Sequence, residues 1–295
     1  MMKKLSGYLK VVRNIFYLFL IRLFYRKQKF DKKYYVSVCA IFKNEGKYLR
    51  EWIEYHLTAG IEHFYLYNNF SDDNYKKVLA PYIKDGIVTL TDWPVEHGQR
   101  AAYNDCVAKY SGESNWIGFI DLDEYVCPIK WKSIPDWLKN YERYPLVSAF
   151  WRMFGSAGVT EEDRSKTLIE QFTVCSDIIS SSKMFLNTHW SKRIKDFHLS
   201  HYCRFKIWGK LAPDNAVLFF MPGSRRKKAK VQINHYYSKS AEYWAKKKMV
   251  VGDAYYQTSE NKRPWEMFFW CEDICNKSDF SIFKYLIRLK MRMKD

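Results

Sequence analysis

Three acidic residues, Asp121, Asp123 and Glu124, follow directly on the apolar run WIGFI at 116–120. In an extended strand, residues two apart point to the same side, so a strand over 116–121 predicts that Asp121 and Asp123 project together. Neighbouring carboxylates repel each other unless a cation or a donor compensates them. A divalent cation bridging a diphosphate would do so, because hard cations take oxygen ligands. An ordinary acidic turn is the alternative, since two aspartates at this spacing often occur by chance.

Strands and helices alternate along the first half of the chain. Their sequence patterns predict strands near 33–40, 63–67, 87–90 and 116–121, and helices over 49–60, 75–83 and 99–110. This order predicts an α/β fold with a mainly parallel twisted sheet flanked by helices. Ligands bind at the carboxyl ends of the strands in such sheets, and polar clusters follow the first, second and fourth strands.

The second half of the chain has a mixed pattern. It predicts strands near 147–154, 168–174 and 231–237, a helix over 240–250 and a helical tail over 261–295. A basic loop lies at 225–228. The parallel sheet is therefore expected from the first half alone.

Two segments carry a family resemblance. VSVCAIFKNEGKYLREWIEYHLTAGIEHFYLYNNFSDDN and WIGFIDLDEYVCP resemble family 92 and family 2-like glycosyltransferases, in particular bacterial members that build surface polysaccharides. The resemblance spans about residues 34–250. It implies a GT-A-like fold, a nucleotide-sugar donor, a divalent metal (Mn²⁺ or Mg²⁺) at the D-x-D motif, and a glycan or lipid-linked acceptor. The strand and helix order agrees with that fold.

The resemblance assigns three polar groups to the donor nucleotide. They are Asn44 and Glu45 of a K-N-E motif, Asn68, Ser71 and Asp72 of the turn after the second strand, and Gln99, Tyr103 and Asn104 of a Q-x-x-x-Y-N helix start. A cap at the start of the helix is the alternative role for Asn44.

The metal ligands implied by the resemblance are Asp121, Asp123 and His235. Asp123 is expected to bind the metal directly, and Asp121 to be shared between ribose and metal. His235 belongs to an N-H-Y-x-x-K-S-x-E motif, in which Lys239 is expected to meet diphosphate oxygens as a point charge. A buried structural histidine is the alternative for His235, and Glu124 is expected to orient neighbouring groups.

The acceptor side is less defined. WRMFGSAG at 151–158 is similar to the family's W-x-x-F-G-S-S-G, with Ala157 replacing a serine, and 192–201 matches a family stretch loosely. The resemblance suggests inversion, which needs a carboxylate to accept the acceptor's hydroxyl proton. We take Glu161 as the candidate catalytic base, so that the candidate catalytic residues are Asp121, Asp123 and Glu161. Three further candidates are Glu162, Asp163 and Glu170.

The overall charge is strongly positive. The 49 Lys and Arg outnumber the 32 Asp and Glu, giving +17. Such a charge suits nucleic acid, anionic lipid or an anionic substrate. We expect no nucleic-acid partner, because no nucleic-acid-binding motif occurs and paired carboxylates oppose phosphate without a metal. A nucleic-acid-binding protein, a metal-dependent hydrolase and a non-catalytic scaffold for glycan assembly remain the rival functions.

Basic and apolar residues are concentrated at both ends. Residues 1–33 hold ten basic side chains and one acid, and the apolar stretch 11–25 would form a helix of about 22 Å. That is too short for a hydrocarbon core of about 30 Å, so we expect a membrane-associating segment over 1–33. Residues 280–293 form a second amphipathic helix. Packing on the protein's own core is the alternative for each.

These observations define the predicted organisation. It comprises a membrane-associating segment (1–33), a glycosyltransferase domain (34–250) and a helical C-terminal extension (251–295). The predicted function is metal-dependent transfer of a hexose, from a UDP-linked donor, to a lipid-linked or polysaccharide acceptor in cell-surface glycan synthesis. The predicted location is cytoplasmic, on the inner face of the plasma membrane. The seven scattered cysteines suit reduced thiols there.

Overall fold

The computed structural model describes residues 16, 19, 28–177, 181–198, 202–207, 210–211, 219–220, 230–250 and 262–294. The strands are β1 Tyr34–Phe42, β2 His63–Asn68, β3 Val88–Asp92, β4 Ser114–Phe119, β5 Glu124–Cys127, β6 Leu146–Phe154, β7 Val174–Ser176, β8 Ser182–Asn187, β9 Ile194–His198, β10 Tyr202–Ile207, β11 Lys210–Leu211, β12 Phe219–Phe220, β13 Gln232–Tyr236 and β14 Cys275–Ser278. The α-helices are α1 Gly46–Thr58, α2 Tyr75–Lys84, α3 Gln99–Tyr110, α4 Ile134–Leu138, α5 Leu168–Gln171, α6 Ala241–Tyr243, α7 Trp265–Ile274 and α8 Leu286–Lys294. A π-helical turn, Trp244–Lys248, and three 3₁₀ turns, Lys139–Tyr141, Thr188–Arg193 and Ser281–Tyr285, complete the helical elements of these ranges.

The central sheet has the order β14-β7-β6-β8-β4-β1-β2-β3. Strands β1 to β4 pair in parallel, which confirms the α/β architecture predicted from the first half of the chain. Beyond them β8 is antiparallel to both β4 and β6. Strand β13 leaves this path and pairs with β5 in antiparallel and with β6 in parallel orientation. The second half is mixed, as its sequence pattern indicated.

The parallel strands are apolar because both faces of the sheet are covered. Every residue of β1 from Val36 to Phe42 is buried, and so is every residue of β2 and β4. Helix α1 buries Leu49, Trp52 and Ile53 against this sheet. The helix ends before Gly60, which adopts φ 98° in the left-handed region that glycine tolerates.

Two local predictions were wrong. The strand predicted over 168–174 begins instead as α5, because Thr167 and Glu170 form a reciprocal capping box, and only Val174–Ser176 is extended. The fourth strand ends at Phe119, so Asp121 lies in a turn and not in a strand. The alternation argument that placed Asp121 and Asp123 on one side therefore does not apply to them.

The C-terminal helix packs its apolar stripe against the protein. Ile282 and Leu289 are buried in the main core, and Arg292 Nε lies 2.5 Å from Glu54 Oε2 of α1. This supports inward packing of the stripe over insertion of that stripe into a membrane. The tail is not wholly helical, since β14 interrupts it and pairs with β7.

The apolar N-terminal stretch 11–25 lies outside the described residues except for Phe16 and Phe19, and the basic loop 225–228 lies wholly outside them. Within the part of the chain that the structure describes, no helix combines the length and the hydropathy needed to cross a bilayer.

Candidate active site

The loops after β1 and β2 meet at the carboxyl edge of the parallel strands. The Asn44 N–H donates to Ser71 Oγ at 2.9 Å, and the Asp72 N–H donates to Asn44 Oδ1 at 2.9 Å. Asn44 adopts φ 53°, and its side chain serves this loop-to-loop contact; the residue at the helix N-cap is Glu45. The predicted donor residues of these two loops therefore form one surface.

The Asn68 side chain fixes the loop after β2 by hydrogen bonds. Its amide donates to Tyr75 Oη at 2.8 Å and to Asp92 Oδ1 at 2.9 Å, and its Oδ1 accepts the Ser71 N–H at 3.1 Å. The Asn68 side chain is buried, whereas Asp72 is exposed at the rim. Asn68 thus shapes the loop that presents Asp72.

The acidic turn after β4 is locked by its own groups. The Asp121 N–H donates to Glu124 Oε2 at 2.9 Å, and the Glu124 N–H donates to Asp121 O at 3.1 Å. Trp52 of α1 adds its indole N–H, 3.1 Å from Asp121 O and 2.9 Å from Glu124 O. The backbone of the turn is thereby fixed against the core.

A buried lysine neutralises one side of this turn. Lys183 is 1% exposed, and its Nζ lies 2.6 Å from Asp121 Oδ2 and 3.4 Å from Glu124 Oε1. Burial raises the pKa of Glu124 well above its usual range, although Lys183 opposes this. Burial lowers the pKa of Lys183, but Asp121 and Glu124 outweigh it and hold the ammonium charged. Sequence reasoning missed Lys183. The one feature that could have indicated a buried lysine is its position in a short apolar run.

The other side of the turn faces β13. Because β13 pairs antiparallel with β5, His235 stands opposite Glu124 and the Tyr236 N–H donates to Asp123 O at 2.9 Å. His235 Nε2 lies 3.6 Å from Asp123 Oδ1, and Lys248 Nζ lies 3.1 Å from Asp123 Oδ2. Burial would raise the pKa of Asp123, but Lys248 and His235 outweigh it and hold the pKa well below its usual range.

Three of these groups could hold one cation. The ligand atoms of Asp123, Glu124 and His235 all lie within 4.8 Å of one another. Ligands on opposite sides of one ion, with bonds of about 2.2 Å, lie about 4.4 Å apart. His235 Nδ1 is buried without a hydrogen bond within the described ranges. Two carboxylates and an imidazole suit Mn²⁺ or Mg²⁺, so the residues fit the predicted metal.

Asp121 has a different set of neighbours. In addition to its contact with Lys183, Asp121 accepts a hydrogen bond at Oδ1 from the Gln99 side-chain amide of α3, at 3.1 Å. The same amide donates to Tyr103 Oη at 3.0 Å. Asp121 is absent from the cation group found among the described residues. Asn104, on the same helix, donates its amide to Arg100 O at 2.9 Å and is not brought into this cluster.

Lys239 is buried among aromatic rings. It is fully buried at φ 48°, with Nζ 3.6 Å from the centroid of the Tyr48 ring and 4.1 Å from that of Tyr243. Its nearest carboxylate oxygen, Glu45 Oε2, is 3.7 Å away, and Nζ makes no hydrogen bond within the described ranges. Burial lowers the pKa of Lys239, which Glu45 opposes. Lys247 takes the other Glu45 oxygen at 2.7 Å.

The loop 155–158 is held by a carboxylate from α7. The Ser156 N–H and hydroxyl donate to Glu272 Oε1 and Oε2, at 2.7 and 2.6 Å. Ala157 and Gly158 follow at φ 54° and 78°. Glu272 was not among the predicted residues, because nothing in its local sequence marks it.

The four candidate bases occupy different surroundings. Glu162 accepts the Tyr48 hydroxyl at 2.7 Å and pairs with Lys47. Asp163 accepts from Ser165 in an exposed turn, and Glu170 closes the capping box of α5. Glu161 is exposed in the segment after the 155–158 loop.

The family comparison matches most of the chain. The profile named Glycosyltransferase family 92 matches residues 32–271. A family 92 protein of Oryza sativa is 31% identical over 141 residues, which is 46% of this chain and 24% of that protein. A beta-1,4-galactosyltransferase of Caenorhabditis elegans is 32% identical over 113 residues, 34% of this chain and 27% of that protein. The match to the Oryza relative thus spans about a quarter of that protein's length.

A galactan beta-1,4-galactosyltransferase of Arabidopsis thaliana is 31% identical over 134 residues, 41% of this chain and 26% of that protein. Among solved structures, S. aureus TarS is 14% identical with a TM-score of 0.38, over 54% of this chain and 48% of that one.

Proposed function

Because this chain belongs to glycosyltransferase family 92, we propose that it transfers a hexose from a nucleotide-diphosphate sugar to a glycan acceptor. We further propose a UDP-linked donor, a lipid-linked or polysaccharide acceptor of the cell surface, inversion at the sugar carbon, and a GT-A-like fold. Galactose is the first sugar to test, because two of the relatives are named as galactosyltransferases.

One observation carries the proposal: a candidate cation group and a buried lysine without a hydrogen bond occupy the same edge of the sheet. An ammonium removed from water is costly unless an anion reaches it. Lys239 Nζ lies 3.7 Å from Glu45 Oε2, in the loop where the donor nucleotide is predicted to lie. A diphosphate placed between the cation group and Lys239 would satisfy both.

The residues then have distinct roles. Asn44 and Asp72 present polar groups to the nucleoside, and Asp121 faces the ribose with Gln99 beside it. Asp123, His235 and Glu124 would hold the cation, and Mn²⁺ or Mg²⁺ bound there would supply positive charge to the leaving diphosphate. Lys239 would add a second positive charge toward the same leaving group. Glu161 is proposed to accept the proton of the attacking hydroxyl.

The test is a thermal-shift and transfer panel of nucleotide sugars, each with and without Mn²⁺. We expect UDP-galactose with Mn²⁺ to raise the melting temperature most, and radiolabelled galactose to appear on a glycan acceptor. Release of free sugar whether or not acceptor is present would instead indicate the hydrolase. A panel in which no nucleotide sugar shifts the transition would refute the proposal.

We also propose that the basic segment 1–33 brings the enzyme to the inner face of the plasma membrane. Ten basic side chains and the apolar stretch 11–25 support this, because anionic headgroups attract such segments. We expect removal of residues 1–33 to abolish co-sedimentation with anionic vesicles while nucleotide-induced thermal shifts persist. Continued sedimentation of the truncated form would show that the segment is dispensable for binding.

A further inference from the structure

We propose that Lys248 is a tethered cation that competes with the divalent metal for Asp123. The inference rests on the proposed metal-dependent function and adds a regulatory step to it. In the unliganded protein the ammonium would occupy Asp123, and metal binding would require it to leave.

The contact is direct and largely shielded from water. Lys248 Nζ lies 3.1 Å from Asp123 Oδ2, and the two side chains are only 14% and 13% exposed. Asp123 also belongs to the group of three residues whose ligand atoms lie within 4.8 Å of one another. Lys248 therefore occupies one of the two oxygens of a carboxylate that could bind the metal.

Two cations bound to one carboxylate repel each other. A divalent ion bound to Asp123 would stand within a few ångströms of the ammonium, and repulsion between charges so close is strong where water is excluded. His235 does not conflict in this way, because a neutral imidazole is itself a metal ligand. Lys248 and the metal are therefore alternative partners of Asp123.

Lys248 lies at the end of an irregular helical turn. Lys248 is the last residue of the π-helical turn Trp244–Lys248, and such turns are less stable than an α-helix and are frequent at functional sites. In the same position Lys248 Nζ lies 5.0 Å from the centroid of the Tyr237 ring, a second contact that stabilises the ammonium. The side chain can thus leave Asp123 without losing every favourable contact.

The test measures binding of Mn²⁺ alone, by the loss of the free-ion signal in electron paramagnetic resonance. We expect Lys248→Met to lower the Kd for Mn²⁺ at least tenfold, and Lys248→Arg to keep the wild-type value. Lys246→Met is the matched control, since it removes the same charge from the same turn at a side chain 74% exposed. Lys248→Gln provides the same readout should the methionine variant fold poorly.

The outcomes separate the two proposals. An Mn²⁺ affinity unchanged or weakened in both Lys248→Met and Lys248→Gln, with wild-type Mn²⁺ binding intact, overturns the role of Lys248 alone. If no form binds Mn²⁺ even with UDP present, the metal site and the role of Lys248 both fall. Adding Asp123→Asn to Lys248→Met should abolish the tighter binding, and its persistence would place the ion elsewhere and refute the inference.

Discussion

Replacing Asp123 with asparagine is expected to lower kcat/KM for sugar transfer by about 10²–10³-fold. Asp123 combines two properties that the amide lacks: it is anionic, and its pKa is held well below its usual range by Lys248 and His235 against the effect of burial. A lowered pKa keeps the Asp123 carboxylate ionised at neutral pH, which a cation ligand requires. Asparagine keeps the shape and loses that charge.

The measurement is steady-state transfer at saturating Mn²⁺, with Asp85→Asn as the control for a lost surface carboxylate. Asp85 is exposed at the end of α2 and far in sequence from the acidic turn. We expect the control to match wild type. Wild-type kinetics in Asp123→Asn would refute the assignment of Asp123 to the cation.

Replacing Lys183 with methionine is expected to cost about 3 kcal/mol of unfolding free energy at pH 8. The substitution fills the same space but leaves Glu124, which is fully buried, without its cation. Transfer should also fall by about 10–100-fold, because Asp121 loses the contact that orients it. Lys139→Met, at a lysine 60% exposed, is the control and should change stability by less than about 0.5 kcal/mol.

The pH dependence of this loss has a definite sign. Burial already raises the pKa of Glu124, and removal of Lys183 raises it further. A carboxyl group with a raised folded-state pKa contributes stability at low pH that is lost as pH rises through that pKa. The free energy of unfolding that Lys183→Met loses relative to wild type should therefore be smaller at pH 5.5 than at pH 8, as measured by urea titration. The double variant Lys183→Met/Glu124→Gln should recover most of it; equal deficits at both pH values would contradict the buried ion pair.

Local patterns were sufficient where an element's neighbours in sequence decide its conformation. The apolar runs at 34–42, 63–68 and 114–119 are buried on both faces, so composition alone marks them as parallel strands. Helix α3 has the predicted bounds, 99–110. The polar clusters after β1, β2 and β4 meet because parallel strands end at one edge. The α/β fold and the location of the candidate site therefore followed from the sequence.

Contacts between distant segments needed the folded chain. Lys183 reaches Asp121 because β8 runs antiparallel beside β4, and Glu272 reaches Ser156 from α7, 116 residues away. Their local signals are weak or absent, since a single lysine in a short apolar run or a single glutamate does not by itself identify a buried pair. The sequence predicted which edge of the sheet carries the candidate site, whereas only the tertiary structure decided which cations face each carboxylate. The reason is that register between strands, and not spacing along the chain, sets which charges come within a few ångströms.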